Sequence, residues 1–282
     1  MDISVIIPTR NGGELLNRTL VAIYTQKTNK TYEVIVIDSE SDEETLRIIK
    51  NFPVKLFAIK KYDFNHGLTR DLGAAHAQGE FLIFINQDAE PVDENWMNLM
   101  IQPMIDNNEI LATQGAIKER EDTLRFFWDS CGENFYFSSE SNNWIKFYKG
   151  IGFSTVNCCI RRSVWEQHHF GNKDILEDKF FQKQIQKNGS EIVYADGCVY
   201  HTHNYSYQEL YKRCQNEGYG WRLVGERYTL KQAIGDTFIL KNYKKLLKGL
   251  LKRKINKWAE FIYPFKRAYW VYKGNHFNKK LI

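Results

Sequence analysis

Four short β-branched and apolar runs, Ile3–Ile7, Glu33–Ile37, Val54–Ile59 and Phe81–Ile85, punctuate the first third of the chain, and each ends in polar or turn-forming residues. Runs of this length and composition read as strands buried on both faces, as in a parallel sheet. Between the first two, Gly13–Gln26 places Leu15, Leu16, Leu20 and Ile23 at helical spacing, and Glu43–Lys50 does the same with Leu46 and Ile49. Strand alternating with helix predicts an α/β architecture: a Rossmann-like, mostly parallel sheet flanked by helices and joined by right-handed crossovers. Further helices are predicted at Thr69–Ala77 and Glu94–Ile105.

Beyond residue 115 the pattern changes. Residues 116–235 are rich in Trp, Tyr and Phe with weaker periodicity, and predict a helix near Asp178–Lys187, a strand near Glu191–Tyr194 and a helix near Tyr207–Arg213. Trp128, Trp144, Phe153 and Trp165 in this stretch are expected to be core. In the tail, Leu247, Leu250, Leu251, Ile255, Trp258, Ile262, Phe265 and Tyr269 recur at helical intervals among lysines, which predicts a basic amphipathic helix kinked or broken at Pro264. The expected organisation is a half at 1–115, a second half of the same domain at 116–235, and a basic helical extension at 236–282. Charge divides in the same way. Residues 241–282 carry 13 Lys and Arg against one acid, Glu260, a net +12, while the rest of the chain nets −7.

Several classes are excluded. Five cysteines without a C-x-x-C pair fit neither a disulfide framework nor a zinc ribbon, and point to a reducing, cytoplasmic location. No apolar run approaches the roughly 20 residues of a membrane helix, and no basic stretch precedes the first strand as in a signal peptide. Neither G-x-G-x-x-G nor G-x-x-x-x-G-K-[ST] is present, so no glycine-rich loop cradles a phosphate. Nucleic-acid-binding signatures are absent too, and nucleic acid is not an expected partner.

Ligands of an open parallel sheet bind beyond the carboxyl ends of the strands. There the chain places Pro8-Thr9-Arg10-Asn11, Asp38-Ser39 and Asn86-Gln87-Asp88, two carboxylates on one rim. With no glycine-rich cradle, a bound diphosphate needs another counter-charge, and a divalent cation on Asp88 would supply it.

The segments Ser4-Val-Ile-Ile-Pro-Thr-Arg-Asn11, Val34-Ile-Val-Ile-Asp38-Ser39, Asn65-His-Gly-Leu-Thr-Arg70-Asp-Leu-Gly73 and Gly79-Glu-Phe-Leu-Ile-Phe-Ile-Asn-Gln87-Asp88-Ala89, in this order, resemble the family 2 glycosyltransferases of the GT-A fold. Phe64-Asn-His-Gly-Leu-Thr-Arg70 and Gln87-Asp88-Ala89, followed by Glu177-Asp178 and His201-Thr-His203-Asn-Tyr-Ser206, resemble the bacterial rhamnosyltransferase branch. The resemblance implies a donor site built from Pro8, Thr9, Arg10, Asn11, Asp38, His66, Arg70, Gln87 and Asp88. In it Pro8 and Thr9 meet the nucleoside, Asp38 the base or ribose, and Arg70 the nucleotide. Asp88 stands where the family places D-x-D, here reduced to one carboxylate by Asn86 and Gln87. His201, after a strand, or His203, two residues on, would add a metal ligand. Mixed Asp and His ligation suits Mn²⁺ or Mg²⁺, with the imidazole favouring Mn²⁺.

The resemblance further implies Asp178 as the catalytic base of an inverting transfer, with Glu177 beside it as a supporting or acceptor-binding group. Arg161-Arg162 is a candidate phosphate contact. The implied donor is dTDP-L-rhamnose, and the implied acceptor a lipid-linked glycan of a bacterial surface polysaccharide such as O-antigen, capsule or cell wall. The basic tail at 241–282 fits a peripheral seat on the inner face of the anionic cytoplasmic membrane. Another hexose from a UDP donor, or a non-catalytic sugar-nucleotide or glycan-binding module, fits the same motifs.

Overall fold

The computed structural model describes residues 1–120, 126–128, 139–187 and 191–277. In chain order these form β1 (Ile3–Thr9), α1 (Gly13–Tyr24), β2 (Tyr32–Asp38), α2 (Glu43–Lys50), β3 (Lys55–Ala58), α3 (His66–His76), β4 (Phe81–Ile85), β5 (Glu90–Pro91), α4 (Trp96–Asp106), β6 (Ile110–Lys118) and α5 (Ser139–Phe147). Then follow β7 (Asn157–Arg161), α6 (Arg162–Gln167), α7 (Glu177–Lys187), β8 (Glu191–Tyr200), α8 (Tyr207–Val224), α9 (Leu230–Thr237), α10 (Leu240–Leu251) and α11 (Trp258–Phe277). The chain divides into two compact units, Met1–Lys118 with Phe153–His201, and Glu119–Gly152 with Thr202–Ile282.

The first unit is an α/β body on an eight-stranded sheet in the order β3-β2-β1-β4-β7-β6-β8-β5. β3, β2, β1 and β4 run parallel, whereas β7 is antiparallel to both β4 and β6. The register pairs Thr9 with Asp38, so the ends of β1 and β2 share one rim. Ile3–Ile7, Val34–Ile37 and Leu82–Ile85 are buried at every position, as their unbroken apolar runs require of strands covered on both faces. β3 departs from expectation. It forms the sheet edge, where Lys55, Leu56 and Ala58 are exposed.

Other elements extend beyond their sequence patterns. α3 starts at His66 because the Asn65 side chain accepts from the Gly67 and Leu68 amides. β8 continues to Tyr200 through an irregularity in its pairing with β6 at Gly115/Ala116. The Asn157 amide fills that irregularity, donating to Ala116 and Gly197 carbonyls.

The second unit is helical, and among the described residues none of its helices is long and apolar enough to cross a membrane. α8 runs for 18 residues, from a capping box of Ser206 and Glu209 to a left-handed Gly225. Its internal Gly218 and Gly220 make the sequence read as a shorter helix. Gly218 is there for packing, since a side chain would strike the Val271 carbonyl of α11, and one at Gly274 would strike the Gln215 carbonyl of α8. The two helices therefore meet backbone to backbone.

The tail breaks at Lys252–Lys257, before α11, and Pro264 lies inside α11. A mid-helix proline frees the carbonyl four residues earlier. That carbonyl, of Glu260, accepts instead from the indole N–H of Trp128 at 2.7 Å. The Glu260 carboxylate, itself buried, accepts from the Phe127, Asn256 and Lys257 amides and so secures the start of α11. Trp128, Trp144, Phe153 and Trp165 are buried, as expected of core aromatics.

Candidate active site

Beyond the ends of β1 and β4 lies a pocket of about 260 Å³ lined by Pro8, Thr9, Arg10, Phe64, His66, Arg70, Asn86, Gln87 and Asp88. Seven of these were singled out in the sequence; Phe64 and Asn86 were not given roles. Phe64 packs edge-on against the His66 ring, with centroids 4.9 Å apart.

Gln87 faces the chain rather than open space. Its Oε1 accepts from the Thr9 hydroxyl at 2.5 Å and from the Arg10 amide at 2.9 Å, and its Nε2 donates to the Arg10 carbonyl. It pins the loop after β1 by accepting and donating at once, which a carboxylate, having no N–H, could not do. Asn11 and Asp38 do not line the pocket. Asn11, with φ of 49°, binds the turn after β2, its amide donating to Ser41 and its Oδ1 accepting from Asp42. Asp38 is buried and accepts from the Ser41 amide through Oδ2, while Oδ1 has no hydrogen-bond partner.

Arg70 is the hub. Its Nη1 lies 3.2 Å from Glu177 Oε1 and donates to the His66 carbonyl, and its Nη2 donates to Asn86 Oδ1 at 3.0 Å. Its Nε has no hydrogen-bond partner and is buried. Asn86, at the first D-x-D position, is thus an acceptor for a guanidinium. Glu177 is held a second time by the Thr155 hydroxyl at 2.9 Å.

Asp178 is set differently. It follows Leu176, whose φ is 52°, at the start of α7. Its carboxylate accepts from the Lys179 amide at 2.7 Å and stands 3.3 Å from Lys179 Nζ. Lys179 Nζ also donates to the Phe153 carbonyl. Burial raises the Asp178 carboxyl above its ordinary 3.8, helped by the Glu177 charge and opposed by Lys179. Two carboxylates adjacent in sequence therefore have separate partners, Arg70 for Glu177 and Lys179 for Asp178.

Two side chains lock α3 to the segment before α7. Asn65 accepts from the Lys173 amide and donates to Asn172 and Asp174. Asp71 accepts from the Trp165 indole and from the Phe170 and Gly171 amides. Neither had a role from the sequence, where an Asn before a helix and an Asp within it look like ordinary polar positions.

At the end of β8, His201 Nε2 lies 3.3 Å from Asp88 Oδ1, with the imidazole nearly buried. His203 belongs to the second unit, where its ring stacks on Tyr205 and its carbonyl accepts from Phe126. Arg161 and Arg162 are not at this rim. Arg161 pairs with Phe81, at the opposite end of β4, and its guanidinium holds Glu80 and the Met104 and Ile110 carbonyls. Arg162 donates to the Ala77 and Gly79 carbonyls. Both arginines brace loops and leave the phosphate role without support.

The O-antigen chain rhamnosyltransferase RfbN of Salmonella typhimurium is 33% identical over 77% of this chain and 72% of its own length. WbaN of Salmonella anatum, also an O-antigen chain rhamnosyltransferase, is 29% identical over 76% of this chain and 70% of its own. Among solved structures, the mannosyltransferase PcManGT from Pyrobaculum calidifontis, in complex with GDP-Man and Mn²⁺, superposes with a TM-score of 0.64 at 16% identity, over 98% of this chain and 87% of that one. It shares the GT-A fold. The profile of glycosyl transferase family 2 matches residues 4–168, which hold the strand ends, Arg70 and the Asn86-Gln87-Asp88 triplet, and the chain belongs to that family.

Proposed function

We propose that this enzyme transfers L-rhamnose from dTDP-L-rhamnose, with inversion, to a lipid-linked glycan of a bacterial surface polysaccharide. The observation that carries the reading is the convergence of Asp88, Arg70 and the Thr9–Arg10 loop on one pocket at the rim of the parallel strands. The choice of rhamnose is supported by the two O-antigen rhamnosyltransferases to which the chain is similar.

In this reading Pro8, Thr9 and Arg10 receive the nucleoside side of the donor, and the Arg70 guanidinium, which lines the same pocket, meets the nucleotide phosphates. His66 and Phe64 line the wall beside it. The Asp88 carboxylate and His201 imidazole, 3.3 Å apart, are a fitting hard and borderline donor pair for Mn²⁺ or Mg²⁺. A cation held there would neutralise the charge of the leaving diphosphate.

Asp178 acts as the base. Its raised affinity for a proton suits it to accept one from the acceptor hydroxyl as that oxygen bonds to the anomeric carbon and the bond to the diphosphate breaks. A single displacement of this kind inverts the anomeric centre. Glu177 is committed to Arg70 and Thr155, and serves to orient the guanidinium. A lipid-borne acceptor places the reaction at the cytoplasmic face of the membrane, with basic residues of 241–282 as the peripheral contact.

Thermal-shift titration with dTDP-L-rhamnose, UDP-glucose, UDP-galactose and GDP-mannose, each with Mn²⁺ or EDTA, tests the donor. Selective, metal-dependent stabilisation by dTDP-L-rhamnose is expected. Preference for a UDP donor would discard rhamnose, and no response to any donor would favour a non-catalytic module.

A further inference from the structure

α10 carries two apolar faces, and the second unit uses one of them. Leu246 and Gly249 are buried, and a side chain at Gly249 would meet the ring of Phe127. At 100° per residue, Leu240, Leu247 and Leu251 fall within about 40° of one another on the far side of the helix. They are 74%, 59% and 77% exposed. Lys244 lies against this stripe, and Lys241 and Lys248 run alongside it, all three exposed.

The flanks continue the pattern. Leu230 and Ile234 are exposed one turn apart on α9, Phe238 is exposed in the link to α10, and Trp258 is exposed at the start of α11. From Phe238 to Trp258 there are eight Lys and Arg and no acid. α11 buries Ile262, Tyr263, Ala268, Trp270 and Val271 within its own unit and leaves Trp258, Phe265 and Tyr269 exposed, but of its basic residues Lys266, Arg267 and Lys273, Arg267 is buried and paired with Glu217. What sets α10 apart within the basic tail is an exposed leucine stripe flanked by exposed lysines with no acid nearby in sequence.

We propose that α9 and α10, rather than the whole tail, form the surface that lies on an anionic lipid bilayer, with Leu240, Leu247 and Leu251 in the headgroup–acyl boundary and the lysines beside them on lipid phosphates. At 12 residues α10 is about 18 Å long, so it lies on a bilayer and does not span it. Charge selects this occupant. A second copy would bring eight cationic residues against eight more, and a nucleic-acid backbone would engage the lysines but leave the leucine stripe in water. The inference deepens the membrane contact proposed above and does not depend on the donor or the reaction.

Co-sedimentation of the full chain with vesicles of phosphatidylcholine alone, or mixed with phosphatidylglycerol, tests it. Binding is expected to the mixed vesicles and to weaken with salt. Leu240→Ser/Leu247→Ser/Leu251→Ser should weaken it more than roughly tenfold. Lys241→Gln/Lys244→Gln/Lys248→Gln should weaken it by up to about a hundredfold. Tyr269→Ser/Phe277→Ser, at exposed sites on α11, should leave it unchanged. Circular dichroism and the donor thermal shift should match the parent for every variant. If no variant nor the parent responds to a donor, the transferase reading fails while vesicle binding still reports on this face. Undiminished binding of the leucine variant, loss of binding in the α11 variant, or leucine-dependent dimers that bind no vesicle would overturn the proposal.

Discussion

Arg70 and Glu177 form an ion pair 3.2 Å long with side chains only 5% and 7% exposed, and it joins α3 to α7 beside the pocket that Arg70 lines. Removing one member of such a pair leaves a buried, uncompensated charge. Glu177→Ala should cost about 3–5 kcal/mol in urea unfolding. It should also weaken binding of dTDP, read by calorimetry, because Arg70 loses the acceptor that orients it. Retained dTDP affinity would show that Arg70 does not depend on Glu177 for its pose.

Asp178 gives a signed pH dependence. As a base it works ionised, so turnover should fall as pH drops through its native pKa, which burial holds above 3.8. Lys179 opposes that rise, and Lys179→Met should move the acidic limb of the kcat profile to higher pH. Displacement to lower pH would contradict the assigned environment.

The same carboxyl affects stability with the opposite sign to an acid whose pKa folding lowers. With its folded pKa raised, the native state binds the proton more tightly, and ionisation above the unfolded value penalises folding. Asp178→Asn should therefore raise Tm at neutral pH and lose that advantage in acid, while transfer is abolished and dTDP binding is kept. Calorimetry at two pH values, with a turnover assay, separates the effects.

The Trp128 indole is the partner that Pro264 makes necessary. Trp128→Phe would leave the Glu260 carbonyl buried and unsatisfied, at a cost of about 1–3 kcal/mol. A Pro264→Ala change in the same background should recover part of it by restoring the helical N–H, and an additive pair of effects would refute the coupling.

The strand runs and the rim residues were legible in the sequence because a buried parallel strand is an unbroken apolar run, and ligands gather at its carboxyl end. Seven expected donor-site residues do meet at one pocket. What sequence could not assign was which polar group faces a ligand and which faces the chain. Gln87 and Asn11 hold loops, and Glu177 holds Arg70, through partners 30 to more than 100 residues away, while Asp38 holds the turn that directly follows it. α8 read short because its glycines lower helix propensity, whereas their backbone contacts with α11 need that helix to continue. The tail's periodicity marked apolar faces but not which of them would be covered.

Rhamnosyl transfer that uses Asp88 and Asp178 is measured most directly by dTDP release from dTDP-L-rhamnose in the presence of a lipid-linked acceptor. The parent should release dTDP with Mn²⁺ or Mg²⁺ and stop with EDTA, and Asp88→Asn and Asp178→Asn should each lower turnover by at least about a hundredfold. Release that is indifferent to EDTA and to both substitutions would contradict it.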